Sequence, residues 1–221
     1  MLFGRTAPDD RGPMPRLARF KADTGDSFVL EVSPKGPAFL KYDDSGEVWA
    51  LNPVPGPKGD MIYKNDVGEA MLRTTRFGGL TVFTRDRPMG IAAAIEGGAG
   101  DLHDLLVSGP VAMFHVLVQA SVRATRAAGH KVEFEAKEID PGSEPVFADA
   151  ANLTAQAFLR VDQRGPQGHQ ALARFGRVAF LNGRPPGVRI VGEEVRITVT
   201  PELGFAGRPS SQRISQVLFR R

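Results

Sequence analysis

Four histidines, His103, His115, His130 and His169, are the imidazoles that could serve as a general base or metal ligand, and no two stand three or four residues apart. Only His103 is flanked by carboxylates, in Asp101-Leu102-His103-Asp104. That run allows a hydrolytic centre in which His103 works with Asp101 or Asp104. It also describes a helix start, with Asp101 as the cap and Asp104 in a first turn whose dipole favours an acid, and this reading is preferred. His115 stands among apolar residues and reads as a hydrogen-bonded core histidine. The chain has no cysteine, which removes disulfides, thiolate zinc sites, iron–sulfur clusters and cysteine nucleophiles. No G-x-S-x-G, Walker loop or strand-linked G-x-G-x-x-G occurs. No catalytic residue, metal site or cofactor is assigned, and the balance is against an enzyme.

Two other sets of residues could hold a charged ligand. Arg208, Ser210, Ser211 and Arg213 lie at a helix start, where free backbone amides and guanidinium groups make an anion site. Plain helix capping with two solvated arginines is the simpler account of the same residues. The second set centres on Gly59 to Pro88, where Tyr63, Lys64, Arg73, Arg76 and Arg85, with Trp49 beside the proline loop, interleave basic and aromatic groups. Such a sheet face suits an anionic ligand or a protein partner. Asp60, Asp66, Glu69 and Asp86 stand among these residues and cancel much of their field, which argues against nucleic acid. Turn chemistry accounts for these carboxylates, so a glycoside-cleaving pair is not inferred. The net charge is +3, but the segment from Arg160 onward has eleven Arg against four acids, an excess of +7. A basic C-terminal third could meet an acidic partner; a solvated surface is the plainer reading.

The elements that must position these groups are strands first and helices later. Turn signals separate strands at Phe28–Val32, Ala38–Tyr42, Val48–Leu51, Met61–Lys64, Ala70–Phe77 and Leu80 onward, and Ile91 to Ile95 is one more strand or a linker. Gly68 can supply the positive φ that closes a bulged turn. Gly78-Gly79 reads as a two-residue hairpin loop, pairing Phe77 with Leu80, Thr75 with Val82 and Arg73 with Thr84. Residues 1–24 read as an extended arm, mobile at its start, and 25–221 as a single α+β domain with a sub-boundary at 97–100. Beyond that boundary the period becomes helical: a short helix from Asp101 through Val107, then Pro110–Ala128, apolar almost all round at its start and expected to be buried. Further helices are expected at Ala148–Val161, Gln167–Arg174 and Pro209–Leu218. Val132–Ile139 reads as an edge strand, and Val178–Leu181, Val188–Val191 and Val195–Thr200 as a smaller sheet. The expected fold is α+β: an N-terminal antiparallel meander packed with C-terminal helices and a smaller β-hairpin or sheet. No apolar run reaches the length that spans a bilayer.

The stretch EVWALNPVPGPKGDMIYKNDVGEAMLRTTRFGGLTVF, with AGRPSSQRI near the end, resembles an uncharacterised bacterial protein family of unknown function. The resemblance implies an exported protein whose mature part starts near Leu2-Phe3-Gly4, and hence a periplasmic setting, with the cytoplasm as the alternative for a chain that shows no leader; it supplies no catalytic residue and no ligand. The reading reached from sequence is a non-enzymatic binding or structural protein of the cell envelope.

Overall fold

The computed structural model describes residues 15–34, 36–105, 109–137 and 139–220. Two lobes follow each other along the chain. The first is a closed up-and-down barrel of eight antiparallel strands: β1 (Leu17–Ala22), β2 (Ser27–Glu31), β3 (Ala38–Tyr42), β4 (Val48–Pro55), β5 (Met61–Lys64), β6 (Ala70–Thr74), β7 (Leu80–Val82) and β8 (Ile91–Gly97). Strand β1 closes it by pairing with both β2 and β8. Closure leaves no free sheet edge in this lobe.

Alternation dictates what fills the barrel. Ala18, Phe20, Phe28, Leu30, Ala38, Leu40, Trp49, Leu51, Tyr63, Leu72, Leu80 and Val82, from β1 to β7, form one buried cluster against which the half-buried Ala93 of β8 packs, as alternate side chains of a strand turn inward. Eight strands enclose a space just wide enough for side chains, so this is a packed core and not a channel. Phe20 and Phe28 stack with centroids 5.6 Å apart, and Tyr42 leans on Phe28 at 5.7 Å. On the outer face, Val48 packs with Leu102 and Phe205, joined by Val29 and Phe39.

The second lobe opens with α1 (Pro110–Ala128) and β9 (Glu133–Ala136), followed by α2 (Glu144–Asp162) and α3 (Pro166–Leu172). It continues with β10 (Arg177–Asn182), β11 (Gly187–Val191) and β12 (Glu194–Val199), and ends with α4 (Ser211–Phe219) after a 3-10 segment, Pro201–Gly207. Its sheet has the order β11-β12-β10-β9, with β10 parallel to both neighbours and β11 antiparallel to β12. Helix α2 is the centre of this lobe, burying eleven residues that include Phe147, Leu153, Phe158 and Val161. No described helix is long and apolar enough to cross a membrane.

The α+β class and the helix positions agree with expectation, and five details differ. From Leu17 to Ala22 the expected arm is a barrel strand, because Ala18, Phe20 and Ala22 alternate inward; residues 1–14, including the Leu2-Phe3-Gly4 start, lie outside the described residues. Ile91 to Ile95 is the strand of the two alternatives, and its pairing with β1 turns the meander into a barrel. The helix expected from Asp101 is a 3-10 turn over Leu102–Leu105; Val107 and the Ser108 start lie outside the described residues. Helix α1 is not buried all round: Leu117, Ala120, Ala124 and Ala127 face inward, while Val111, Phe114, Val118 and Val122 are exposed. Its alanines let it lie close against α2, which turns the larger residues outward.

The hairpin register also differs. Leu72 pairs with Val82, Arg73 with Thr81 and Thr74 with Leu80. The connection is a three-residue bulged loop: Thr75 N–H donates to Gly79 O, Gly78 N–H to Thr75 O, and Gly79 N–H to Thr75 Oγ1. Gly78 takes φ +83°, which only glycine accepts freely. The turn at Asn65–Glu69 repeats this pattern, with Gly68 at φ +87° and Asn65 Oδ1 accepting from Val67 and Glu69. The three-residue loop places Leu80 and Val82 inward and lifts Phe77 to an exposed tip under Arg76.

Because Phe28 is wholly buried between two aromatic neighbours, Phe28→Ala is expected to cost about 3–5 kcal/mol of stability. Urea unfolding followed by far-UV circular dichroism measures it; a loss below about 1 kcal/mol would be at odds with a packed barrel interior.

Candidate functional site

The two lobes meet where the barrel's loops touch α2 and α4. Helix α4 begins in Arg208-Pro209-Ser210-Ser211, and its first free amides point at the barrel. Ser210 N–H and Oγ donate to the two carboxylate oxygens of Asp66, at 2.8 and 2.6 Å. Ser211 N–H donates to Glu47 Oε1 at 3.0 Å, and its Oγ to Glu47 Oε2. Arg208, almost wholly buried, donates from Nε to Asp149 Oδ2 of α2 at 2.6 Å and from Nη2 to the carbonyl of Val48 at 2.7 Å. Arg213 donates from Nη1 to Asp66 O at 3.3 Å, and Asn65 Nδ2 to Gln212 Oε1 at 3.0 Å.

The sequence candidates Arg208, Ser210, Ser211 and Arg213 thus face anions at a helix N-terminus, and those anions are the protein's own Glu47 and Asp66. Ser210 also caps the helix, its Oγ accepting from Arg213 N–H. In the sequence, turn chemistry accounts for Asp66 and nothing marks Glu47. Their function as lobe-joining acceptors depends on contacts across 144 residues for Asp66 and 164 for Glu47, which no local pattern displays.

Glu47 is fully buried. Burial pushes its carboxyl above the ordinary range, opposed by the two bonds from Ser211 and by Arg208 and Arg160. Arg160 of α2 stands 3.5 Å from Glu47 Oε2 and turns its guanidinium toward the ring of Trp49, 5.9 Å from the centroid.

Beside this clamp lies a cleft of about 1370 Å³. The barrel contributes Tyr42, Trp49, Glu69, Phe83 and Arg85; α2 and the turn after it contribute Gln156, Arg160, Gln163 and Arg164; α4 contributes Gln212 and Gln216. The α2 residues recur at helical spacing with Asp149, so one polar stripe of a largely buried helix reaches the barrel. Three arginines against Glu69 leave the lining at +2. Arg164 lies over Phe219, 4.2 Å from the centroid. Neither Arg164 nor Arg85 enters an ion pair among the described residues. Tyr42 Oη is buried without a hydrogen-bond partner among them; burial, with Asp26 and Asp44 near, pushes the phenol up to about 12, so it stays a neutral donor. A smaller cavity of about 650 Å³ lies between α3 and the end of α4, but its Arg174 is engaged by the carbonyl of Arg220.

The six residues expected on one basic, aromatic face are parted. Tyr63 is buried in the barrel interior, and Trp49 belongs to that interior cluster while also lining the cleft. Arg73 lies outside, bound to the buried Asp60 with Nε 2.7 Å from Oδ2. Arg76 is at the hairpin tip, and Lys64 ends β5 opposite a bulge at Met71 of β6. Of the six, Trp49 and Arg85 reach the cleft. Arg160 and Arg164 were missed, having entered only as part of a basic C-terminal third; their spacing with Asp149 and Gln156 on an alanine-rich helix was the available signal. His103 lies outside the cleft: Asp101 Oδ1 accepts its backbone N–H at 2.8 Å, and its ring faces Glu31. The side chain of Asp104 lies outside the described residues.

The profile of a family described as a domain of unknown function (DUF4908) matches residues 3–218. The chain belongs to that family. The match covers both lobes and the cleft between them, so the DUF4908 unit is the whole barrel-and-helix assembly and not one lobe alone. No curated protein and no solved structure matches the chain.

Stability should carry the signature of Glu47. A raised carboxyl means that the native state holds the proton more tightly than the unfolded chain does. Its contribution is therefore fully present at low pH and is lost as pH rises from the ordinary value of 4.5 toward the raised one. In that window the wild type should lose about 1.4 kcal/mol per pH unit relative to Glu47→Gln. Urea titrations of both proteins across this range test the sign; a wild type that gains stability relative to Glu47→Gln as pH rises would contradict it. Glu47→Ala, which strands the amide and hydroxyl of Ser211 and leaves Arg160 without its acid, is expected to cost about 3–5 kcal/mol.

Proposed function

We propose that this protein is a non-catalytic binding protein whose cleft between the barrel and helices α2 and α4 takes an anionic ligand. The observation that carries the reading is the convergence of Arg85, Arg160 and Arg164 with Tyr42, Trp49 and Phe83 in one cleft. Guanidinium groups recognise carboxylate or phosphate through paired N–H donors. Aromatic faces bind the apolar or ring portion of the same molecule, and the glutamines add both donors and acceptors. Hydrolysis by His103 with Asp101 or Asp104 has less support, because Asp101 holds the backbone of His103 and not its ring. The bacterial cell envelope is the setting of this reading, on the likeness of residues 47–83 to exported bacterial proteins.

Trp49 is the chain's one tryptophan and lines the cleft, so its fluorescence reports directly on occupancy. Titration with poly-L-glutamate, inorganic polyphosphate and polygalacturonate should give a saturable change with at least one of them, weakening as salt rises. Arg85→Ala and Arg164→Ala should each weaken that binding about tenfold or more, since a charge-assisted hydrogen bond contributes roughly 1.5–3 kcal/mol. No response to any of the three polyanions, or binding indifferent to both variants, would overturn the reading.

A further inference from the structure

Glu31, the last residue of β2, meets Asp101 and His103 of the segment that leaves the barrel for the second lobe. One ligand atom from each of the three lies within 4.8 Å of the other two. We infer that Glu31, Asp101 and His103 form a binding site for a divalent transition-metal ion, separate from the cleft.

Three observations carry this. Glu31 Oε2 is buried and has no hydrogen-bond partner among the described residues, although a buried carboxylate oxygen is costly to leave unpaired. His103 Nε2 stands 3.7 Å from that oxygen. This is too long for a hydrogen bond. It is close to the separation of about 3.4 Å between two ligands that each lie about 2.1 Å from one tetrahedral ion. Finally, the imidazole is already oriented. It stacks on Phe205 with centroids 5.2 Å apart and meets the edge of Phe39 at 5.8 Å. Asp101 is likewise held before any ion arrives, its Oδ1 accepting the backbone N–H of His103 while the carboxylate keeps lone pairs free.

The donor set selects the ion. One imidazole nitrogen with two carboxylates suits Zn²⁺, Ni²⁺ or Co²⁺; Mg²⁺ and Ca²⁺ prefer all-oxygen shells of six or more. Two carboxylates neutralise the dication, and the half-exposed side of His103 leaves room for water to complete the shell. The role is structural. The ion ties the inter-lobe segment to the end of β2, beside the cluster of Val48, Leu102 and Phe205.

The test uses untagged, chelator-treated full-length protein. Calorimetric titration with Zn²⁺ should show one ion per chain with Kd about 10 µM or tighter. Zn²⁺ should raise the melting temperature, as a ligand of the native state must, and an equal concentration of Mg²⁺ should not. His103→Ala and the exposed Asp101→Ala should each lower Zn²⁺ affinity about tenfold or more and abolish the thermal shift. If His103→Ala does not fold, Asp101→Ala and Glu31→Gln carry the test. The inference fails if Zn²⁺ does not bind one to one, or if binding survives all the variants that fold, which would move it to His115, His130 or His169.

Discussion

The structure depends on two carboxylates held at the start of one helix. Glu47 and Asp66 reach from the barrel to the amides and hydroxyls of Ser211 and Ser210, four hydrogen bonds aimed at the positive end of α4. Burying Glu47 would be unfavourable in isolation. It is tolerated because the helix N-terminus supplies unpaired N–H groups and a favourable dipole, and because two guanidinium groups stand near. Arg208 extends the arrangement by tying Asp149 of α2 to the Val48 carbonyl of the barrel. Loosening this junction would leave each lobe its own core and take away the walls of the cleft, which come from both sides. The binding reading therefore rests on the clamp, although among its residues only Arg160 and Gln212 also line the cleft.

The fold was legible where local chemistry decides it and illegible where closure does. Asn65-Asp66-Val67-Gly68 displays its bulged turn because Asn65 supplies the side-chain acceptor and Gly68 the positive φ. Thr75-Arg76-Phe77-Gly78-Gly79 contains the same device. There the double glycine imitates a tighter loop, and the Thr75 hydroxyl that accepts from Gly79 is the less conspicuous cue. The error matters because an odd slip in register exchanges the faces of a strand. Barrel closure could not be read locally: β1 follows a proline-rich start, and its pairing with β8 joins residues about 75 positions apart, as in Phe20 with Ile95. Helix α1 misled for a different reason. Its large apolar residues suggest burial all round, but contact with α2 is made by alanines, and periodicity alone does not reveal which stripe is chosen.

The cleft was half legible. Trp49 and Arg85 were singled out as basic and aromatic members of a meander, yet Tyr63, read the same way, points into the barrel. A strand alternates sides, so composition within it cannot separate a wet face from a core until register is known. The α2 contribution is legible only in retrospect: Asp149, Gln156 and Arg160 share one face of an alanine-rich helix with Gln163 and Arg164 in the turn after it. That face meets the barrel, whereas Asn152 and Asp162 turn to Arg123 of α1 and His169 of α3.

The charge excess of the C-terminal third shows why counting arginines is a poor guide to a binding surface. Arg177 and Arg196 share Glu194, Arg184 pairs with Glu202, Arg208 with Asp149, and Arg160 stands near Glu47. Arg174 holds the Arg220 carbonyl and Arg213 that of Asp66. These seven already have partners within the fold, so the field they present outward is smaller than the sum suggests. Exposed pairs such as Arg184–Glu202 add little stability, but they still neutralise one another. Attraction for an anion falls instead to guanidinium groups that enter no ion pair among the described residues. In the cleft, Arg164 over Phe219 and Arg85 in the loop after β7 answer that description.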